Sequence, residues 1–521
     1  MPFSFQNDYL CADIIPHHAR YSGERSAVVC EGRALTWSEL ERRTSQVANA
    51  LMDAGIRKGD KVCMYMTNSL TAFELTWGII RAGGVVVALN TMVTGDILAT
   101  LVNRSDGRLL FCDAQSAQEV LAVADQLDTL TTEDVFAPGG AGGFRALETL
   151  VDNASAAPVQ ARIEPEDSLC IIYSSGSTGT PKGIELSHRA RMHYVFGQGH
   201  WGQYDSESVA LIATPLYTSG AWFTMAPCMY WGGTCVLLPS FAAGEFIRLA
   251  EAHSVTHTFL VPTQTVQLLN QAEELQRSDL SSWKRLLSGG QALMPQTFDE
   301  MGERLPHLEI WDCYGMSEGF VTIVGPRDYA RGKRGSVGKP LMLDDIRIID
   351  DEGKELPPGQ IGEICAYSVG LMKGYYKDPE ITESSIWYGP GGRSYIRSGD
   401  LGRLDETGYL YLCGRAKDML KSGGINVFPP DIEAVFTKHP AVAEAAVIGI
   451  PHEKWMETPL AFVILRPDAP AVSSGELLDW ANDRLAKYQR VSEVRIVEDF
   501  PRVTYGKVDK KKLRAPFWPD R

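Results

Sequence analysis

The run Tyr173-Ser-Ser-Gly-Ser-Thr-Gly-Thr-Pro-Lys-Gly183 sets glycines, hydroxyls and one lysine directly after an apolar stretch, Leu169 to Ile172. This composition suits phosphate. Glycines such as Gly176 let backbone amides approach an anion closely, and the hydroxyls of Ser174, Ser175, Ser177 and Thr178 donate to its oxygens. Lys182 adds positive charge at the end of the loop. A Ser/Gly surface linker is the alternative, but a linker has no reason to contain Thr-Pro-Lys-Gly or to follow a buried strand. Gly183 stands where a Walker A loop needs Ser or Thr after its lysine, so another nucleotide fold is implied.

The elements that must hold this loop follow an alternating rhythm. Thr36-Trp37-Ser38-Glu39 is a capping box opening a helix with Leu40, Val47 and Leu51 on one face, closed by Gly55. A strand at Val62 to Met66, a helix around Ala72 to Ala82, a strand at Val85 to Leu89, a helix near Ile97 to Val102 and a strand at Leu109 to Cys112 follow. Asp128 to Pro158, with four glycines, reads as an irregular connection. Strands near Val209 to Ala213, Thr234 to Leu238, His257 to Val261 and Leu308 to Tyr314 continue the pattern, which predicts parallel α/β layers. After Val337 short β segments separated by turns predict a β-rich subdomain. The last hundred residues read as a small α+β unit, with helices at Pro430 to Thr437 and Gly475 to Lys487 and strands at Val442 to Ile450, Leu460 to Leu465 and Val491 to Val497.

Bulk properties narrow the class. At 521 residues the chain exceeds one hydrophobic core, so two or more domains are expected. A net charge of −15 argues against general nucleic-acid binding. No apolar run approaches the roughly 20 residues of a membrane span, and the N-terminus lacks a signal core, so the cytoplasm is the expected location. The ten cysteines are scattered without zinc-ligand spacing and read as small buried hydrophobes.

Several motifs then occur in order: the phosphate loop, Tyr314-Gly315-Met316-Ser317-Glu318, Ser398-Gly399-Asp400, Gly414-Arg415-Ala416-Lys417-Asp418 running into Lys421-Ser422-Gly423-Gly424-Ile425, and Gly506-Lys507. With them, nearly the whole chain resembles the adenylate-forming superfamily of acyl-CoA synthetases, adenylation domains and beetle luciferases. The resemblance implies an α/β fold with a large N-terminal AMP-binding domain of layered sheets plus a β-rich subdomain, residues 1–415, and a small mobile α+β C-terminal domain, residues 416–521, hinged near Lys417. It implies ATP and coenzyme A as co-substrates and Mg²⁺ as cofactor, with a small-molecule carboxylic acid as the third partner. Homodimer formation stays open.

The resemblance also distributes roles. Glu318 supplies a hard oxygen for Mg²⁺ on the ATP phosphates, Tyr314 a flat face for adenine and Ser317 a hydroxyl for a phosphate, in a position where the family usually has threonine. Gly290, Asp312 and Gly315 fall beside the nucleotide. Asp400 suits the ribose hydroxyls and Arg415 the same region, a structural salt bridge between the two being the alternative. Lys507 is the expected catalytic lysine, an ammonium placed where charge develops as a carboxylate attacks the α-phosphorus. Gly423 and Gly424 would line the pantetheine tunnel, with Trp455 near the CoA arm or, equally, in the core.

The acyl pocket is expected beneath Pro215 to Gly220, lined by Tyr217, Thr218, Trp222, Phe223, Gly289, Met316 and Phe320, although Tyr217 and Trp222 could equally be core residues. Thr218 departs from the histidine or aromatic common in acyl-CoA ligases, and no aspartate marks amino-group recognition, so an unaminated acid is expected. The expected activity is AMP-forming carboxylate:CoA ligation, favoured over carrier-protein loading because no carrier segment follows Arg521. The same resemblance also admits a non-catalytic nucleotide-binding relative or a luciferase-like oxygenase.

Overall fold

The computed structural model describes residues 10–159, 161–174, 181–291, 293–341, 343–422, 425–466, 469–502 and 507–518. Packing divides them into two compact units. The first holds the described residues up to Gly332 with Pro340–Asp344 and Tyr367–Ile386; the second holds Lys333–Lys339, Asp345–Ala366 and everything from Trp387 onward. The β-rich segment after Val337 thus packs with the C-terminal residues. This grouping is by contact, whereas the boundary expected after Arg415 concerns movement.

Two mixed sheets organise the first unit. One runs in the order Gly374–Tyr375, Lys182–Ser187, Ser168–Ser174, Val85–Ala88, Lys61–Tyr65, Gly107–Cys112, Val135–Ala137, Arg145–Ala146. Its central strands are parallel and buried on both faces, which is why Val85–Ala88 reads as a continuous apolar run. The other runs Phe320–Val324, Glu309–Met316, Arg285–Gly289, His257–Leu260, Val209–Ile212, Thr234–Leu237, Ser26–Cys30, Arg33–Thr36. Helices Trp37–Asp53, Leu70–Arg81, His188–Gly202 and Ser219–Tyr230 complete the layers, and one core cluster joins Trp37, Phe73, Trp77, Ile184 and Trp222.

The second unit contains an antiparallel sheet of Asp345–Ile349, Gly362–Tyr367, Ser394–Leu404 and Leu410–Arg415. Its C-terminal part pairs Ile425–Val427, Leu420–Ser422, Met456–Leu465 and Val442–His452 in order, with Glu493–Ile496 parallel to Met456–Leu465. Helices Pro429–Phe436 and Ser474–Asn482 cover a core of Leu420, Ile432, Phe436, Val463 and Leu477. No helix among the described residues is long and apolar enough to cross a membrane.

Three expectations need correction. Asp128 to Pro158 is not irregular, because Val135–Ala137 and Arg145–Ala146 extend the first sheet around the glycine-rich turn, and Leu147–Val151 is helical. The helix expected to reach Lys487 ends at Asn482, where the Asn482 side chain bonds the backbone of Val491 and turns the chain toward the next strand. Two strands beside the site, Arg285–Gly289 and Phe320–Val324, had no place in the sequence reading: the first is short and carries only two apolar side chains, and the second is buried throughout and shows no alternation.

The expected capping box is present: Thr36 Oγ1 accepts from the Glu39 amide at 3.2 Å, and Glu39 Oε2 accepts from the Thr36 amide at 2.8 Å. Thr36→Ala should therefore destabilise the first unit by about 1 kcal/mol. Denaturant melts of the two proteins measure this, and coincident midpoints would show that the cap contributes nothing.

Candidate functional site

Strands Ser168–Ser174 and Lys182–Ser187 form an antiparallel hairpin with Ser174 opposite Lys182, so the ends of the expected phosphate loop are held in register. Ser175, Gly176, Ser177 and Thr178 lie outside the described residues. Lys182 Nζ sits 4.9 Å above the ring of Tyr375. The phenol of Tyr375 in turn donates to Glu318 Oε1 at 2.8 Å. Burial, and secondarily the Glu318 charge, raises the Tyr375 pKa above its ordinary value, so the phenol keeps its proton and remains a donor.

This bridge unites two expected site residues through one that sequence reasoning missed. Tyr375 belongs to the two-residue strand Gly374–Tyr375, which pairs with Lys182–Ser187 through Ile184. The available signal was Lys373-Gly374-Tyr375-Tyr376, a glycine-aromatic run. Glu318 is held from its backbone as well, its carbonyl accepting from the Met372 amide at 2.7 Å. The following residue makes that approach possible. Gly319 has φ +125°, and a Cβ there would lie 2.1 Å from the Gly370 carbonyl oxygen.

Around this centre, Tyr314 and Gly315 lie near the end of strand Glu309–Met316, with the Tyr314 ring edge-on to Phe320 at 5.6 Å. Ser317 Oγ accepts from Ser219 Oγ at 3.3 Å, which ties the Tyr314–Glu318 motif to the expected acyl turn. Gly290 is exposed with φ +86°. Asp312 is partly exposed as a residue, but its carboxyl is set inward, and burial pushes its pKa up to about 7 against the opposing pull of the Cys313 and Leu293 amides. The Cys313 amide donates to Asp312 Oδ1 at 3.0 Å.

The expected acyl residues separate into three environments. Thr218 is buried as the cap of helix Ser219–Tyr230: its hydroxyl donates to the Pro215 carbonyl at 2.6 Å and accepts from the Ala221 amide at 3.5 Å. That occupation explains a threonine here. Trp222 faces the core, 6.0 Å from the Trp77 ring and under the Arg191 guanidinium at 5.0 Å, and Tyr217 packs half-buried on the same cluster. Phe223 points elsewhere, 5.4 Å from Tyr194 and 6.0 Å from Phe259.

Phe259 is the second residue that sequence reasoning missed. A Cβ at Gly220 would lie 2.6 Å from its ring, and one at Gly289 3.0 Å from it and 2.5 Å from Cys313 Sγ. Both glycines are therefore fixed by this aromatic wall. Met316 is half-buried at the strand end above it.

In the second unit, Asp400 and Arg415 are cross-strand partners, and Arg415 Nε meets Asp400 Oδ1 at 3.0 Å. The ion pair anticipated as an alternative is present, and it holds one carboxylate oxygen. Lys417 is exposed in the turn Ala416–Asp418, and its carbonyl accepts from Arg514 Nη1 at 2.9 Å. Trp455 is 41% exposed with Lys454 Nζ 4.7 Å over its ring, which removes the core alternative. Lys507 is half-buried beside the bridge between Arg502 and Val508. Gly423 and Gly424 lie outside the described residues. Among the described residues no group of three or more His, Cys, Asp or Glu side chains is placed to hold a metal.

Comparison with known proteins gives the family and the fold. Residues 15–376 match the family described as AMP-binding enzyme, and residues 431–507 its C-terminal domain. The chain is 31% identical over 501 residues to a feruloyl-CoA synthase of Amycolatopsis sp, covering 96% of this chain and 97% of the relative. It is 30% identical over 517 residues to the fatty acid–[acyl-carrier-protein] ligase ScoC of Streptomyces coeruleorubidus, covering 96% and 95%. Among solved structures, ATP-bound MatB from Rhodopseudomonas palustris superposes with a TM-score of 0.86 at 30% identity, over 98% of this chain and 99% of that one.

Asp312 makes a pH-dependent prediction. Its carboxyl moves from an ordinary 3.8 to about 7 on folding, so between these values the native state binds more protons than the unfolded state. Stability attributable to Asp312 therefore falls as pH rises through this window, and the penalty is complete above it. Asp312→Asn should flatten that decline by about 1 kcal/mol or more between about pH 5 and about pH 8. Thermal melts across the range test it, and a variant that tracks the parent at every pH would reject the inward carboxyl.

Proposed function

Because the chain belongs to the AMP-binding enzyme family, as an adenylate-forming enzyme of the acid–thiol ligase type, we propose that it is an ATP-dependent carboxylate:CoA ligase. The observation that carries this reading is the Lys182–Tyr375–Glu318 bridge, which sets a phosphate-binding cation and a hard carboxylate on one buried phenol. In the first half-reaction an oxygen of the acid attacks the α-phosphorus of ATP and pyrophosphate leaves. In the second the CoA thiol attacks the acyl carbonyl, loses its proton and expels AMP.

Each proposed role draws on the chemistry of a named residue. Lys182 and the loop before it hold the departing phosphates. Glu318 fits a magnesium ion shared with the triphosphate, being one oriented carboxylate rather than a closed cage; the ion would neutralise phosphate charge. Tyr314, Gly315, Asp312 and Gly290 bound the base and phosphate region, and Asp400 with Arg415 the ribose. Lys507 supplies the ammonium that stabilises charge at the α-phosphate. The boundary after Arg415, with Lys417 as hinge, accounts for exchange of Lys507 for the CoA-tunnel segment between half-reactions. The carrier-protein alternative keeps its support from the relative that loads acyl-carrier protein.

A panel of carboxylic acids assayed for pyrophosphate and AMP release, with and without CoA, tests the activity. CoA-dependent AMP release and thioester formation are expected; adenylation that proceeds no further with CoA would transfer the reading to carrier loading. Lys507→Ala should lower acyl-adenylate formation by about a hundredfold or more while sparing thioester formation from supplied acyl-AMP. Equal loss of both steps would sink its separate role. Glu318→Gln should raise the Mg²⁺ concentration required for turnover by about tenfold, and an unchanged Mg²⁺ titration argues that the carboxylate lies outside the metal's reach.

A further inference from the structure

Below the acyl wall lies a small chamber that none of these roles uses. Strand register fixes its position. Phe259, Leu287 and Trp311 are neighbours across three parallel strands, with Gly289 and Cys313 forming the next row up and His257 and Arg285 the row below. Side chains alternate along strands, so all of these face the same side, and two residues rise about 7 Å. The chamber at Leu287 therefore begins about 7 Å beneath the expected acyl site at Gly289.

Gln198, Trp201 and Gly202 of helix His188–Gly202 line it. Tyr194, Gln198 and Trp201 recur at the spacing of a single helix face. Tyr194 meets Phe223 at the acyl end, Trp201 meets Trp311 at 5.6 Å at the far end, and Gln198 lines the space between. About 20 Å³ is open to a water-sized group, room for one hydroxyl-sized substituent.

The polar groups of the chamber differ in what they have left to give. His257 is engaged at both nitrogens, Nδ1 with Thr256 Oγ1 and Nε2 with the Gly202 carbonyl, each at 2.7 Å, and burial lowers its pKa to about 4, so it is neutral. Arg285 Nη2 donates to Gln203 Oε1 at 2.6 Å, and its Nε, which makes no hydrogen bond among the described residues, is ion-paired with the Glu309 carboxylate at 3.3 Å. Gln198 is different. It is 3% exposed, and its Nε2 has no hydrogen-bond partner among the described residues. A buried amide without an acceptor is unfavourable, and an oxygen brought in by a ligand relieves it.

We propose that the chamber is the distal end of the acyl site and that Gln198 is a specificity-determining residue, reading a neutral oxygen at the far end of the substrate. The acid is then one with a terminal hydroxyl, alkoxy or carbonyl oxygen on an apolar or aromatic body. Neutral His257 and the nearby Arg285 guanidinium disfavour a terminal ammonium. This rests on the ligase reading above.

Pyrophosphate release with matched acids tests it: ω-hydroxyoctanoic against nonanoic acid, and para-hydroxyphenylpropanoic against para-methylphenylpropanoic acid. The parent enzyme should prefer the hydroxyl member of at least one pair by about tenfold or more in kcat/KM. Gln198→Leu and Gln198→Met should each bring that ratio to about one, with melting temperatures equal to or above the parent's because a buried orphan donor is gone. Turnover without a hydroxyl preference, or a preference that survives both substitutions, overturns the chamber alone. Absence of pyrophosphate release with every acid overturns the ligase reading and this inference with it.

Discussion

The close backbone approach of Gly319 to Gly370 is the constraint on which the site of the first unit depends. A side chain at Gly319 would occupy the Gly370 carbonyl, so only glycine lets the turn after strand Glu309–Met316 lie against the segment Ser368–Tyr376. That segment continues into Gly374–Tyr375, which belongs to the other sheet. Two sheets that share a core cluster therefore present their functional ends together. Lys182 comes from one and Glu318 from the other, and Tyr375 spans the distance with its ring face toward the cation and its hydroxyl toward the carboxylate.

A phenol is suited to that position for electrostatic reasons. A direct Lys182–Glu318 ion pair would cancel the charges that, on the proposed reading, a triphosphate and its counter-ion need, and ligand binding would first have to break it. Tyr375 instead holds each group by a weaker contact, a cation–π interaction of about 0.5–2 kcal/mol and a single hydrogen bond. Both charges are oriented on one phenol. Asp400 and Arg415 solve a different problem in the second unit, where an antiparallel ladder sets a direct ion pair and the strand pairing itself fixes its geometry.

What the sequence reveals of this arrangement follows the range of the interactions concerned. The Thr36 capping box, the central strands Lys61–Tyr65, Val85–Ala88 and Gly107–Cys112 of the first sheet, the loop bearing Lys182 and the motif carrying Glu318 are local in sequence, and all are legible there. Thr218 is legible in identity but not in purpose, because its hydroxyl closes a helix cap visible only once Ser219–Tyr230 is known to start there. Tyr375, Phe259 and Gln198 escape notice for a common reason. Their partners are Lys182 and Glu318, Gly220 and Gly289, and the face of a distant sheet. No local pattern encodes such pairings. Trp222 errs the other way: its neighbours suggest a pocket, but adjacent positions on a helix point about 100° apart, and it is Phe223 that faces the acyl wall.

The same geometry separates chemistry from selectivity along single strands. In parallel sheets ligands gather at the carboxyl ends of strands, and here Gly289, Tyr314 and the Glu318 turn occupy those ends. Two residues before Gly289 on the same face stands Leu287, two before Cys313 stands Trp311, and four before Gly289 stands Arg285. Backbone pairing that holds the upper rows in register thus also holds the walls proposed to meet the far end of the acyl group. Side chains in those lower rows can change without altering the hydrogen-bond ladder above them, because the ladder is made by the backbone. Substrate choice can therefore vary along the strands while Lys182, Tyr375 and Glu318 stay fixed at their tips.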